Sequence, residues 1–264
     1  MKIVMMTDLE GVAGVVSFES QAYADGQYYE AAKKLLTYEI NAAVDGLLQA
    51  GATEIIVIDG HGPGAILFEE LHPEAKLIHG RPLATQKVRD ELYKDADVAV
   101  MIGQHSMAGT VNGNMNHTQN SRAVEYYKLN GKMIGEIAQF SLYMGALNIP
   151  MIFLSGDDAA CREAEELIQG IITVAVKTGL SRNSAMSLSK EKSHELIRKK
   201  SFEALQNFQK TPLAPLSWQG PFILEKSFFQ TDVADSAASQ PGVKRINSQT
   251  VQTKSDDICD IIYQ

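Results

Sequence analysis

Five short apolar runs, KIVMMTD, EIIVIDG, DVAVMIGQ, PMIFLSGDD and ITVAVKTG, recur along the chain with longer stretches of helical period between them. Runs of this length, rich in Val and Ile and closed by Gly or Asp, read as strands covered on both faces. Strands that alternate with helices leave few topologies open, and the expected class is α/β with a largely parallel central sheet and flanking helices. The first connection, YYEAAKKLLTYEINAAVDGLLQAG, places Ala31, Leu35, Ile40, Val44 and Leu47 on one helical stripe and stops at Gly51, a residue suited to a left-handed cap. From residue 156 the texture changes to a helix DDAACREAEELIQG, a strand, a charged helix and a tail that reads strand, short helix, strand, helix. Residues 1–155 are therefore expected to form one α/β domain and residues 156–264 a smaller α/β unit packed on it. No internal repeat and no long linker separates them.

At 264 residues and 45% hydrophobic content the chain can bury a substantial core. Its 24 basic and 32 acidic residues leave a net charge of −8 without long like-charge runs, which argues against a nucleic-acid or anionic-membrane surface. Cys161 and Cys259 lie far apart and in no CxxC pattern, so neither a disulfide framework nor a thiolate metal site is indicated, and a reducing cytoplasm is the expected location. The N-terminal IVMM is too short for a signal h-region, and no stretch approaches the roughly 20 apolar residues of a membrane span.

In open parallel sheets ligands bind outside the carboxyl ends of the strands. Three of the apolar runs end there in metal-ligand residue types: TDLEG, IDGHG and IGQHS. Asp8 and Glu10 are two apart, so in extended chain both face one side while Leu9 faces the other. Two carboxylates held that close repel unless a cation lies between them. His61 sits among Gly60, Gly62 and Gly64, with Asp59 placed as an outer acceptor, and His105 occupies the equivalent position after its own strand. Glu136 falls on a stripe of Met133, Ile137, Phe140 and Met144, where an unpaired charge is costly. An isolated acidic pair is usually a solvated turn, and a lone loop histidine is usually only exposed. Their convergence at three strand ends is what favours a metal. Three carboxylates and two imidazoles without sulfur suit zinc, with manganese or cobalt as alternatives, and the carboxylate charge exceeds what one divalent ion neutralises. GHGPGA satisfies GxGxxG/A formally, but no convincing helix follows Pro63 and no acidic residue ends the next apolar stretch, so a dinucleotide site is not expected. His72, His79 and His194 read as ordinary surface residues.

The segments TDLEG, DGHG, GQHSMAG, NHTQNSR, NGKMIGE, SGDDAACRE and AVKTGLSR, in this order over nearly the whole chain, resemble the DppA-type D-aminopeptidases, self-compartmentalising zinc peptidases of bacteria and archaea. The resemblance implies two zinc ions per chain on Asp8, Glu10, His61, His105 and Glu136, with Asp8 bridging, so that residues 1–155 become the metal-binding domain and residues 156–264 complete the cleft and the oligomer contacts. It implies a catalytic role for His117, as nucleophile or as general acid/base; where the family motif reads MHT, this chain reads NHT, with Asn116 before the histidine. On the residues alone, His117 lies in the polar, glycine-bearing stretch TVNGNMNHTQNSR, the kind of loop that carries function. Lys177 and Arg182, in KTGLSR, are candidates for substrate binding or for an interface. The expected activity is hydrolysis of short peptides or amides with an N-terminal D-amino acid such as D-Ala, in a ring-built homo-oligomer of decameric size. Another metal-dependent amidohydrolase of the same fold, or a non-catalytic small-ligand binding protein with a structural metal, are the alternative readings.

Overall fold

Alternating strands and helices organise residues 1–264, all of which the computed structural model describes. In chain order they are β1 (Lys2–Thr7), α1 (Tyr29–Gln49), β2 (Glu54–Asp59), β3 (Ala75–Ile78), α2 (Gln86–Tyr93), β4 (Val98–Gln104), β5 (Val124–Leu129) and β6 (Lys132–Ile134). There follow α3 (Glu136–Ala146), β7 (Met151–Asp157), α4 (Asp158–Leu167), β8 (Ile172–Ser181), β9 (Ser184–Ser187) and α5 (Lys190–Lys210). The chain closes with β10 (Phe222–Phe228), α6 (Thr231–Ala238), β11 (Lys244–Arg245) and β12 (Thr250–Ser255). Seven strands form the main sheet in the order β3-β2-β1-β4-β7-β8-β9, parallel except for the edge strand β9. A second, antiparallel sheet has the order β11-β12-β10-β5-β6.

Both faces of the main sheet are buried, as its near-continuous apolar runs require. Ile3 and Met5, Ile55 and Val57, and Val98 and Val100 pack on one face under α1 and α5. Their alternate neighbours Val4, Ile56, Ile58, Ala99 and Met101 face the opposite way, toward α3, α4 and the second sheet. This is the two-residue period of strands acting on sequences that are apolar at every position. No helix is long and apolar enough to cross a membrane.

The sheets divide the chain differently from the expected boundary at residue 155. β8, β9 and α5 lie beyond it yet extend and cover the main sheet, whereas β5 and β6 precede it and belong to the second sheet. The signal is local: Asn130 and Gly131 both take positive φ (50° and 79°) in a two-residue hairpin that pairs Leu129 with Lys132. That hairpin also ends the helical stripe read through Glu136. Met133 is on β6 and 42% exposed, and α3 begins only at Glu136. Along α1 the stripe is shifted by one residue at its start, with Ala32 and Leu36 buried instead of Ala31 and Leu35, and is as expected from Ile40 onward.

Candidate metal centre

The strand order reverses between β1 and β4, and the crevice outside the carboxyl ends at such a point is where a doubly wound sheet offers a site. Asp8 and Glu10 follow β1, His61 follows β2 and His105 follows β4, so three adjacent strands aim four side chains into one volume. Two close backbone approaches make this possible. Gly103 adopts φ +75° with the position of a Cβ only 2.0 Å from the Asp8 carbonyl oxygen, and a Cβ on Gly11 would lie 1.9 Å from that of Gln104. The hairpin β5–β6 brings the fifth residue, Glu136, in from above as the first residue of α3, and its Oε1 accepts a hydrogen bond of 2.7 Å from the Gln119 backbone N–H.

Asp8 lies at the middle of the cluster. Its Oδ1 is 3.2 Å from His61 Nδ1, which is itself 3.0 Å from Glu10 Oε2; its Oδ2 is 3.2 Å from His105 Nε2, which is 3.5 Å from Glu136 Oε1. Donor atoms that share one ion with bonds of about 2.0–2.2 Å lie about 3–3.6 Å apart, so these spacings fit two such groups joined through Asp8. Asp8, Glu10 and His105 form one triple of donor atoms within 4.8 Å of one another, and His105, His117 and Glu136 form another.

The imidazoles show which nitrogens are bare. His61 Nε2 meets the Ala22 carbonyl at 2.8 Å, His105 Nδ1 the Ser106 carbonyl at 3.0 Å, and His117 Nδ1 the Met115 carbonyl at 3.0 Å. A carbonyl can only accept, so each of these nitrogens carries the proton and the other presents a lone pair to the cleft. For His61 and His105 that lone pair faces carboxylate oxygens, an arrangement that needs a proton or a cation between the partners. Glu10 Oε2 and His105 Nε2 are buried without a hydrogen-bond partner, as expected of atoms shaped for a metal. Burial opposes charge on His61 and His105, yet Glu10 and Asp8 raise the first, and Asp8 and Glu136 the second, well above the ordinary imidazole range. Burial likewise opposes ionisation of Asp8, and His105 and His61 hold it well below the usual carboxylate range. A bound cation would take the place of those protons.

His117 stacks on His105 with ring centroids 3.9 Å apart and its Nε2 3.8 Å from Glu136 Oε1. Burial and the neighbouring His105 push it below its ordinary value, so the ring is neutral at pH 7. The side chain of Asn116 pins its loop, accepting from Gly109 N–H at 3.1 Å and donating to the Gly113 carbonyl at 2.7 Å. A polar cleft of ≈ 350 Å³ opens over His61, Glu10 and His117, and Tyr23, Ser121 and Arg122 stand on its wall.

Asp59, Lys177 and Arg182 are placed differently from the sequence expectation. Asp59 does not orient His61: its carboxylate accepts from the Ala65 N–H at 3.0 and 3.1 Å, and the Ala22 carbonyl does the orienting. Lys177 does not reach the cleft. Its amine is fully buried, donates to the Glu10 and Val15 carbonyls, and is pushed down to about 8 by burial. Arg182 lies outside the cleft as well, with its guanidinium 4.9 Å over Phe18 and its Nε 3.4 Å from the Asn116 carbonyl. Both brace the loops that carry site residues. Lys177→Met is expected to leave two buried carbonyls without a donor and lower stability by about 1–3 kcal/mol, read as a shifted denaturant midpoint. The residues that fix the three imidazoles are not legible in the sequence because they act through backbone carbonyls, which leave no mark in residue identity. Glu163, in SGDDAACRE, carries no signal of its role in the sequence; it accepts from the Met107 N–H at 2.8 Å and steadies the segment after His105.

A doubly wound α/β chain with a carboxylate and imidazole cluster at its switch point falls in the class of metal-dependent hydrolases. The chain belongs to the peptidase M55 family, described as D-aminopeptidase, whose profile matches residues 1–263. It is 31% identical over 266 residues to the D-aminopeptidase of Bacillus subtilis (strain 168), an alignment covering 98% of this chain and 93% of that protein. Its fold superposes with a TM-score of 0.89 on the Zn-dependent D-aminopeptidase DppA from Bacillus subtilis, a self-compartmentalizing protease, at 30% identity over 99% of this chain and 94% of that one.

Proposed function

We propose that this chain is a zinc-dependent aminopeptidase that removes an N-terminal D-amino acid, such as D-Ala, from short peptides or amides, using two zinc ions held by Asp8, Glu10, His61, His105 and Glu136. The observation that carries the reading is the position of Asp8, whose two oxygens face two different groups of donor atoms at 3.2 Å each. Bound zinc supplies a nucleophilic water at neutral pH and polarises the scissile carbonyl. The protein holds the donors in the right tautomer, excludes bulk water and keeps a neutral imidazole, His117, beside the cluster. His117 Nε2 is the atom that takes a proton from the attacking water and returns it to the leaving amine. Asn116 and Arg182 hold its loop in place during this transfer.

The same reading extends to assembly. Val111, Leu180 and Met186 are 82%, 58% and 66% exposed, and the backbones of their segments meet where Gly179 packs against the Asn112 carbonyl. An apolar surface of this kind suits contact between copies. We therefore infer a cytoplasmic, ring-built homo-oligomer, with a decamer as its expected size, that limits access to short peptides. Elemental analysis of protein saturated with zinc and desalted is expected to give two ions per chain. A single ion per chain would remove the bridging role of Asp8, and no retained zinc would favour a different activity for the fold.

A further inference from the structure

The polar cleft is not the only space at the cluster. A second cavity of ≈ 240 Å³ lies on its other side, between the ends of the central strands and α3, and shares Asp8, Gly60, Gln119 and Glu136 with the cleft. Its wall is mostly apolar for a reason set by register, with Thr7, Arg89, Gln104 and Gln119 as polar members beside the shared carboxylates. Met6, Ile58 and Met101, one each from β1, β2 and β4, fall on the sheet face that points toward α3, and Phe140 and Tyr143 come from α3 itself, with Leu83 closing the side. The hydroxyl of Tyr143 is already given to Asp90, so it does not make the wall polar. A largely apolar recess with a few convergent polar groups beside a reactive cluster is the kind of space that takes up part of a ligand.

We propose that this cavity is the subsite for the side chain of the substrate's N-terminal D-residue, and that it selects a large apolar or aromatic side chain over a methyl group. The proposal rests on the aminopeptidase reading above. A dry apolar cavity of about 150 Å³ is enough to take up benzene, so the present one has room for a benzyl or isobutyl group, and a methyl group would leave most of it unfilled. Met6 and Met101 are unbranched and can adjust to the shape of either. The shared rim at Asp8 and Glu136 means that a side chain in the cavity leaves its own α-carbon, amine and carbonyl at the cluster, where the bond to be cut must lie.

The test uses full-length, zinc-loaded protein and the amides of D-alanine, D-leucine and D-phenylalanine. kcat/KM for the two larger amides should exceed that for D-alaninamide by about 10-fold or more, the scale on which apolar pockets reward added carbon. Leu83→Trp and Met6→Phe, which narrow the cavity from different sides, should each lower the D-phenylalanine to D-alanine ratio by about 10-fold. A ratio within one protein is insensitive to partial loss of folded material. Equal values for small and large amides in the parent protein, or a ratio that neither variant moves, would overturn the subsite. Calorimetric binding of free D-phenylalanine and D-alanine separates this from the activity itself. If no amide is hydrolysed, the aminopeptidase reading fails, while tighter binding of D-phenylalanine by about 10-fold would still support the subsite and equal binding would overturn it.

Discussion

Asp8→Ala protein is expected to retain less than one zinc ion per chain and to show no measurable turnover, the largest loss among the five candidate ligands. His61 and His105 approach opposite oxygens of the Asp8 carboxylate, with Glu10 beside the first imidazole and Glu136 beside the second, so removal of any one of these four weakens one position, whereas removal of Asp8 opens both. Even an outer partner of a metal ligand typically contributes about 10–100-fold in affinity or activity, and a ligand shared by two ions should exceed that. The backbone around position 8 is held independently by the Asp8 N–H to the Ile102 carbonyl at 2.9 Å, so the variant should fold. Zinc content and kcat measured on the same preparation check this. An Asp8→Ala protein that keeps two ions would show that the other four side chains suffice and that Asp8 does not bridge.

His117→Ala should behave in the opposite way, keeping its zinc and its fold while kcat falls by about 10²–10⁴-fold, the usual contribution of a general acid/base group. Its ring is buried against His105 and its Nε2 is the bare nitrogen, but the nearest carboxylate oxygen is 3.8 Å away, longer than any spacing around Asp8. Because burial and His105 push His117 below its ordinary value, the base form is present at pH 7. Activity that depends on that base should fall only as pH drops through the lowered value, and this acidic limb should be missing from the residual activity of the variant. Loss of zinc together with activity would instead make His117 a ligand, in keeping with the triple it forms with His105 and Glu136.

Four of the five residues at the cluster were legible because each stands just after an apolar run, and a parallel sheet sends all such positions to one edge. Glu136 was legible as a residue but not as a position. Its stripe with Met133 is an accident of spacing across a hairpin whose turn, Asn130-Gly131, was written in the sequence and outweighed by the apolar pattern around it. That same hairpin moves the division between the sheets away from residue 155, since β5 and β6 leave the α/β alternation and β5 pairs with β10, far along the chain. Lys177 departs from its sequence expectation for a different reason. A lysine near a motif suggests a ligand, and only the path of residues 10–15 over β8 makes its amine a buried donor to two carbonyls. Motifs report which side chains can do chemistry, and burial decides which of them are turned toward it.

If paired zinc sites in this chain serve an enzyme selective for D-residues, both the metal and the handedness of the substrate must govern turnover. Metal-stripped and zinc-restored protein are each presented with matched D- and L-aminoacyl amides, and kcat/KM is measured for all four combinations. A metal cluster has no handedness of its own, so selectivity must come from walls that place the substrate, and a misplacement of about 1 Å can cost on the order of 10²-fold. Hydrolysis of the D-amides is expected from the zinc-restored protein alone, with the L-amides at least about 10²-fold slower. Equal rates for the two enantiomers, or activity that survives removal of the metal, would contradict it.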